Sequence, residues 1–328
     1  MPRKRAATHQ AHARHVPAPD PSPSPATTGI NHYWTYEEEP LPGIGKAMVN
    51  VGNGNLLVQV DDVDVPERGI DLAFRRTYNS QSQHDSNGTD GATPSVFGNG
   101  WTNTFDAHLA YNANSNVISV YDIDGARYDY TNNGSGGWTP PAGQYAQLTS
   151  DGACGFYWTK KTGTAYYFEA PNQPSTCGTQ IPAGLSGRIM AIQGRNINNT
   201  LTFTYSWANG DDTNPENLTQ IVVAHRDGQS LTLTFGLLNG TGPDELVSIT
   251  RPDGAVISYE YDASGDLTEV DRPGNNTTTA PNCTPSPNRN PLCIPETYTY
   301  NGGYLIATAN SPRVYLEPAE QRWHGARG

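Results

Sequence analysis

The chain is 328 residues long, with 34 Gly, 26 Pro and 18 Tyr against 3 Met, and a formal charge of -12. That length can bury the core of one large or two small domains, and the composition favours strands and tight turns over helices, so the expected class is all-β. An acidic body repels phosphate, which argues against nucleic-acid binding, and no apolar run reaches the roughly 20 residues of a spanning helix, which argues against membrane insertion.

In chain order, MPRKRAATHQAHARHVPAPDPSPSP sets Arg3, Lys4, Arg5 and Arg14 against Asp20 alone and has few apolar side chains. It reads as a disordered basic, Pro-rich arm, contact with an anionic surface being the other reading; it contains no segment resembling a signal peptide. Glu37 to Glu39 beside Pro40 read as an exposed acidic face. Leu56, Val58 and Val60 then alternate, Asp61-Asp62 shifts the register, and Val63 and Val65 resume. Pro66 to Gly69 turns the chain, and Ile70, Leu72 and Phe74 alternate again, which predicts a hairpin with a bulge.

Gly98, Gly100 and Trp101 predict a glycine-permitted turn capped by a large aromatic, and Asp124-Gly125 predicts a hairpin turn leading into Tyr128 and Tyr130. Asp122-Ile-Asp124-Gly125 resembles the start of a calcium loop, but the third acid and the distal Glu at EF-hand spacing are missing, so it is read as a turn. His84-Asp85 falls in a polar loop, His108 in a strand, and His225 beside the turn at Asp227. No Gly-x-Ser-x-Gly elbow accompanies these histidines, so no catalytic residue, no metal and no cofactor is expected.

The cysteines form two local pairs, Cys154 with Cys177 and Cys283 with Cys293. The spacing lacks a zinc knuckle, leaving two disulfides or four free thiols as the alternatives.

From residue 200 the chain repeats itself. TLTFTY (200 to 205), SLTLTF (230 to 235), AVISYEY (255 to 261) and ETYTY (296 to 300) each end in an apolar or aromatic pair two residues apart, the last two being Tyr259 with Tyr261 and Tyr298 with Tyr300. Such pairs share one face of a strand. Asp227-Gly228 and Asp253-Gly254 precede two of these strands, where the dipeptide is expected to supply the positive φ angles of a tight turn. Gly265 marks the turn after the strand in the clearest copy. The following Leu218 to Ile221, Leu246 to Ile249 and Leu267 to Val270 have apolar residues three apart, which predicts a bulge or a strand end. A two-stranded unit is unstable alone, so the units are expected to stack into one sheet, an ordinary β-sandwich being the alternative.

RPDGAVISYEYDASGDLT, from Arg251 to Thr268 and including Asp262, resembles the YD repeat of the Rhs proteins. The copy near 188 to 221 has Gly194-Arg195 for Asp-Gly, and that at 226 to 249 has Phe235-Gly236 for Tyr-Asp. Upstream, VNVGNGNLLVQVDDVDVPERGIDLAFRRTYNSQ followed by FGNGWTNTFDAHL resembles the module that precedes these repeats in bacterial Rhs proteins. The resemblance implies antiparallel hairpins stacked as a YD-repeat sheet, part of an Rhs-type β-shell. It implies a basic arm over 1–30, an N-terminal module over 31–184, degenerate repeats over 185–310 and a non-repeat tail over 311–328.

It further implies a non-enzymatic structural or interaction role, since full-length relatives encapsulate and present a C-terminal toxin and are secreted or associated with the cell surface. The expected partners are the remaining shell or the toxin domain. The ending SPRVYLEPAEQRWHGARG abandons the repeat, which predicts an N-terminal piece arising by truncation or a shifted frame, and an exposed edge at Tyr298, Tyr300 and Tyr304 that drives self-association. The alternative function is binding of a glycan or a cell surface, with Trp101, Trp138, Trp158 and Trp207 as stacking platforms.

Overall fold

The computed structural model describes residues 28–82, 96–169, 186–196, 198–210, 217–237, 244–274, 281–284, 290–302 and 304–310. The basic arm up to residue 27, His84-Asp85, Cys177 and the tail from 311 lie outside the described residues.

The described chain is all-β, in two antiparallel sheets. The first is a meander of β1 (Tyr36–Leu41), β2 (Gly45–Asn50), β3 (Leu56–Val65), β4 (Leu72–Asn79) and β5 (Trp101–Asn103). The second begins with β6 (His108–Asn112), β7 (Val117–Tyr121), β8 (Arg127–Asn132) and β9 (Trp138–Thr139). β10 (Gln147–Ser150), β11 (Gly155–Thr159) and β12 (Ala165–Glu169) form a separate branch of it.

The branches meet at β13 (Ser186–Gln193), whose one edge pairs with β12 while the other is shared between β6 and β14 (Thr200–Trp207). The sheet then continues as an unbroken meander through β15 (Leu218–His225), β16 (Ser230–Leu237), β17 (Asp244–Thr250), β18 (Val256–Tyr261), β19 (Leu267–Pro273), β20 (Cys293–Asn301) and β21 (Tyr304–Asn310). Repeat units do stack, and the strands from β13 onward extend the sheet begun at His108.

Alternation sets the faces. Leu201 and Phe203, Leu231, Leu233 and Phe235, and Ile257 and Tyr259 are buried, while Thr202 and Thr204 face solvent. The apolar pairs three apart are reconciled with the pleat by a bulge. Opposite Ser206/Trp207, Thr234/Phe235 and Glu260/Tyr261 the register skips Thr219, Val247 and Thr268, so that Leu218 and Ile221, Leu246 and Ile249, and Leu267 and Val270 all face inward. The same skip occurs at Met190 and at Ile306, two copies the sequence pattern concealed.

The turns also recur, in a form that corrects the expected one. At 122–126, 160–164, 225–229, 251–255 and 262–266 the first residue's N–H donates to the fifth residue's carbonyl, and the N–H of the fourth, a glycine, donates back to the first. Of each Asp-Gly pair only the glycine has positive φ, as at Gly125, Gly228 and Gly254. The aspartate instead accepts from an N–H two residues on, as Asp124 does from Ala126 and Asp253 from Ala255. This is a three-residue loop ending in a left-handed glycine, and the acid side chain serves as its internal acceptor.

Candidate functional site

The predicted bulge in the first hairpin is present: Asp61 pairs with Arg75 and Val63 with Phe74, leaving Asp62 unpaired. That irregularity turns the Asp62 carboxylate inward, where its side chain is 0% exposed. Arg76 lies between Phe74 and Tyr78 at period two, on the inward face of β4. Its guanidinium grips Asp62 with both branches, Nη2 to Oδ1 at 2.9 Å, and Nη1 donates to the Tyr298 hydroxyl at 2.9 Å. It also lies over the rings of Trp101 at 5.0 Å and Tyr298 at 5.4 Å.

From the second sheet, Tyr259 donates to Asp62 Oδ2 at 2.8 Å, and Tyr298 donates to Glu296, which also pairs with Arg272. Glu296 stands 3.6 Å from Arg76, and Arg272 stands 3.7 Å from Asp62. Two carboxylates and two guanidinium groups thus alternate in a closed, buried network joining β3 and β4 to β18, β19 and β20. Burial opposes the Arg76 charge, but Asp62 and Glu296 more than offset it and hold that group above its usual range. Burial pushes the Glu296 carboxyl up to about 7, with Arg272 and Arg76 pulling the other way. Burial and the Asp62 charge raise the Tyr259 phenol, so it stays a donor.

A second contact comes from FGNGW. Gly98 and Gly100 have φ of 92° and 74°, and Trp101, 2% exposed, donates its indole N–H to the Tyr300 hydroxyl at 2.9 Å. A Cβ at Gly98 would lie 2.8 Å from Tyr261, so the loop approaches that ring closely. The Asn99 N–H donates to the Gly265 carbonyl at 3.0 Å, and its side chain donates to Ser264 and Asp266. The glycine loop therefore seats on the turn that closes the YEYD strand. Farther along, the Leu305 N–H donates to the Tyr78 hydroxyl at 3.0 Å.

The remaining predicted positions serve the turns, the core or the disulfides. The Asp124-Gly125 turn is clasped by the chain's first described residues: the Ile30 N–H donates to Asp124 and the Thr28 hydroxyl to the Gly125 carbonyl. The cation beside Asp122 is a lysine, with Lys160 Nζ 2.9 Å from both carboxylate oxygens. Tyr130 is buried and donates to the Ala146 carbonyl, while half-buried Tyr128 packs near Trp158. Asp262 accepts from Ser264 and Asp266 within its own turn. Cys283 and Cys293 form a disulfide, and Cys154 is also disulfide-bonded.

Two expectations change. Trp101, Trp138 and Trp158 are core residues, 2%, 8% and 1% exposed, and half-buried Trp207 stacks on Tyr205 beneath Arg188, so these rings are occupied. Tyr298 and Tyr300 lie on β20, inside the sheet and covered by Trp101; of the three tyrosines assigned to an edge, Tyr304 alone lies on the last described strand. Arg76 and Glu296 went unnoticed in the sequence, although period two places Arg76 with Phe74 and Tyr78, and Glu296 with Tyr298 and Tyr300.

Comparison with known proteins matches residues 46–130 to a domain of unknown function, DUF6531, and residues 244–277 to the RHS Repeat. The tRNA nuclease WapA of Bacillus subtilis (strain 168) is 27% identical over 240 residues, which is 73% of this chain and 9% of that protein. The tRNA3(Ser)-specific nuclease WapA of Bacillus spizizenii is 27% identical over 245 residues, with the same coverage. The chain thus spans about a tenth of the length of these relatives. The N-terminal domain of effector protein SpvB from Salmonella typhimurium strain LT2 matches with a TM-score of 0.33 and 11% identity, over 76% of this chain and 98% of that one. With an RHS repeat at β17 to β19 and the upstream module docked upon it, the chain is similar to the Rhs/YD-repeat family in both motifs and in their order.

Proposed function

We propose that this chain is a non-enzymatic section of an Rhs-type shell wall, the kind of shell that encapsulates and presents a C-terminal toxin. The observation that carries this reading is the docking of the module's Asp62, Arg76 and Gly98 to Trp101 segment onto the repeat tyrosines, which joins two sheets around one core. The acids at that joint are ion-paired and sealed from solvent, an arrangement suited to holding a wall together rather than to meeting a substrate. Its partners are then the rest of the shell and the toxin. The disulfides favour a secreted or cell-surface destination, because such bonds persist in oxidising surroundings.

The relatives named tRNA nucleases provide the test. Purified chain incubated with total tRNA should leave it intact, and cleavage that co-elutes with the chain and vanishes on its denaturation overturns the non-enzymatic reading. A surface-binding role is the second reading. Its platform shifts from the buried tryptophans to Tyr33 and Tyr145, 52% and 64% exposed and both beside the ring of His32. A glycan array on wild type and on Tyr145→Ala decides this: binding lost in the variant favours it, and no binding removes it.

A further inference from the structure

Away from the buried network, the turn between β3 and β4 meets the turn between β15 and β16. Glu67 comes from the first and His225 and Asp227 from the second, and one ligand atom from each lies within 4.8 Å of the others. His225 Nδ1 is 2.9 Å from Asp227 Oδ1 and 4.0 Å from Glu67 Oε2. The His225 and Glu67 side chains are 6% and 9% exposed, and Glu67 Oε1 is buried without a hydrogen-bond partner. A carboxylate oxygen so placed forfeits its hydration with no return from the protein.

The backbone holds all three groups in place. The Glu67 N–H donates to Asp71 at 2.9 Å, the Gly69 N–H donates to the Glu67 carbonyl, and His225 closes its own turn through Gln229 and Gly228. Asp227 remains 42% exposed, so solvent reaches the group from one side.

We propose that Glu67, His225 and Asp227 form a binding site for a first-row divalent cation, best fitted by zinc, that clips the first sheet to the second. One imidazole and two carboxylates suit zinc, and donors about 2.0–2.2 Å from the metal in tetrahedral array stand roughly 3.3 Å from one another, within the reach of these side chains. The open side at Asp227 leaves room for water as the fourth ligand. Without a cation the Glu67 and Asp227 carboxylates share one small space beside His225, and Glu67 Oε1 has no hydrogen-bond partner. A bound cation removes that conflict. This inference stands apart from the shell reading, since it rests on other residues.

The test uses full-length, untagged protein under non-reducing conditions, so that no free thiol competes for metal. After treatment with EDTA and dialysis, it is titrated with Zn2+ by calorimetry, and its melting temperature is followed with and without Zn2+. We expect one equivalent to bind with a rise in melting temperature, and Glu67→Gln and Asp227→Asn each to weaken binding by at least about tenfold. Asp227→Asn keeps the oxygen that accepts from Gln229 at an exposed position, so it decides the matter if Glu67→Gln does not fold. No binding to wild type overturns the proposal, as does stoichiometric binding that the variants leave unchanged.

Discussion

The first sheet and the repeat sheet use the same irregularity to opposite ends. In the repeats a skipped residue (Thr219, Val247 or Thr268) lets two apolar side chains three apart share the inner face. In the first sheet the skip at Asp62 delivers a carboxylate to the interior. One bulge preserves an apolar surface and the other breaks it. The repeat is specified by a turn and a bulge used again and again, so each copy tolerates drift, as Phe235-Gly236 in place of Tyr-Asp shows. The first sheet is specified by individual side chains that meet particular partners in the repeats.

The largest effect should come from breaking that individual match. Arg76→Ala leaves the Asp62 carboxylate buried beside Glu296 without its main partner, and should cost about 3–5 kcal/mol in denaturant unfolding under non-reducing conditions. A loss below about 1 kcal/mol would show that water enters the joint and the network is not sealed.

A smaller contrast sharpens the comparison directly. Gly98 and Gly254 both have positive φ, 92° and 82°, but a Cβ at Gly254 meets nothing within 4 Å while one at Gly98 meets Tyr261. Gly254→Ala should therefore cost only the backbone penalty, about 1–2 kcal/mol. Gly98→Ala should cost about 1–3 kcal/mol more, because the ring must move. Equal melting temperatures for the two variants would mean that the glycine loop does not press on the repeat.

The third effect is a slope. The Glu296 carboxyl, pushed up to about 7 from 4.5, binds a proton in the folded chain that the unfolded chain has already released over that window. Stability should then fall as pH rises between those values, by at most about 1.4 kcal/mol per pH unit, and the loss is complete above the upper one. Glu296→Gln should flatten this part of the profile. An unchanged slope in the variant would assign the titration to another group, such as Asp124, which burial pushes up to about 6.

Much of this was legible from local pattern. Alternation marked the strands, Asp61-Asp62 marked a bulge, and Leu-x-x-Ile marked others, because each obeys a rule spanning only a few residues. The copies at Met190 and Ile306 were hidden by sequences that lack the leucine or end in threonine. The turn at 160–164 escaped because it contains Thr-Gly rather than Asp-Gly, and only the glycine is obligatory. The docking of FGNGW on the YEYD turn was not legible, since no local rule connects residues so far apart. Arg76 and Glu296 fell between these cases: their inward direction could be read from period two, their pairing could not.

The separation between Arg76 and Tyr298 is 222 residues, and that between Tyr78 and Leu305 is 227. At roughly 5–20 residues per second, a ribosome needs on the order of ten to forty seconds to supply the second partner after the first. For most of that interval the nascent hairpin carries an arginine and an aspartate on its apolar face with each other and Trp101 as the available partners. Two charges there keep the face hydrated and discourage premature association with neighbouring chains, until the repeat strands emerge to cover it.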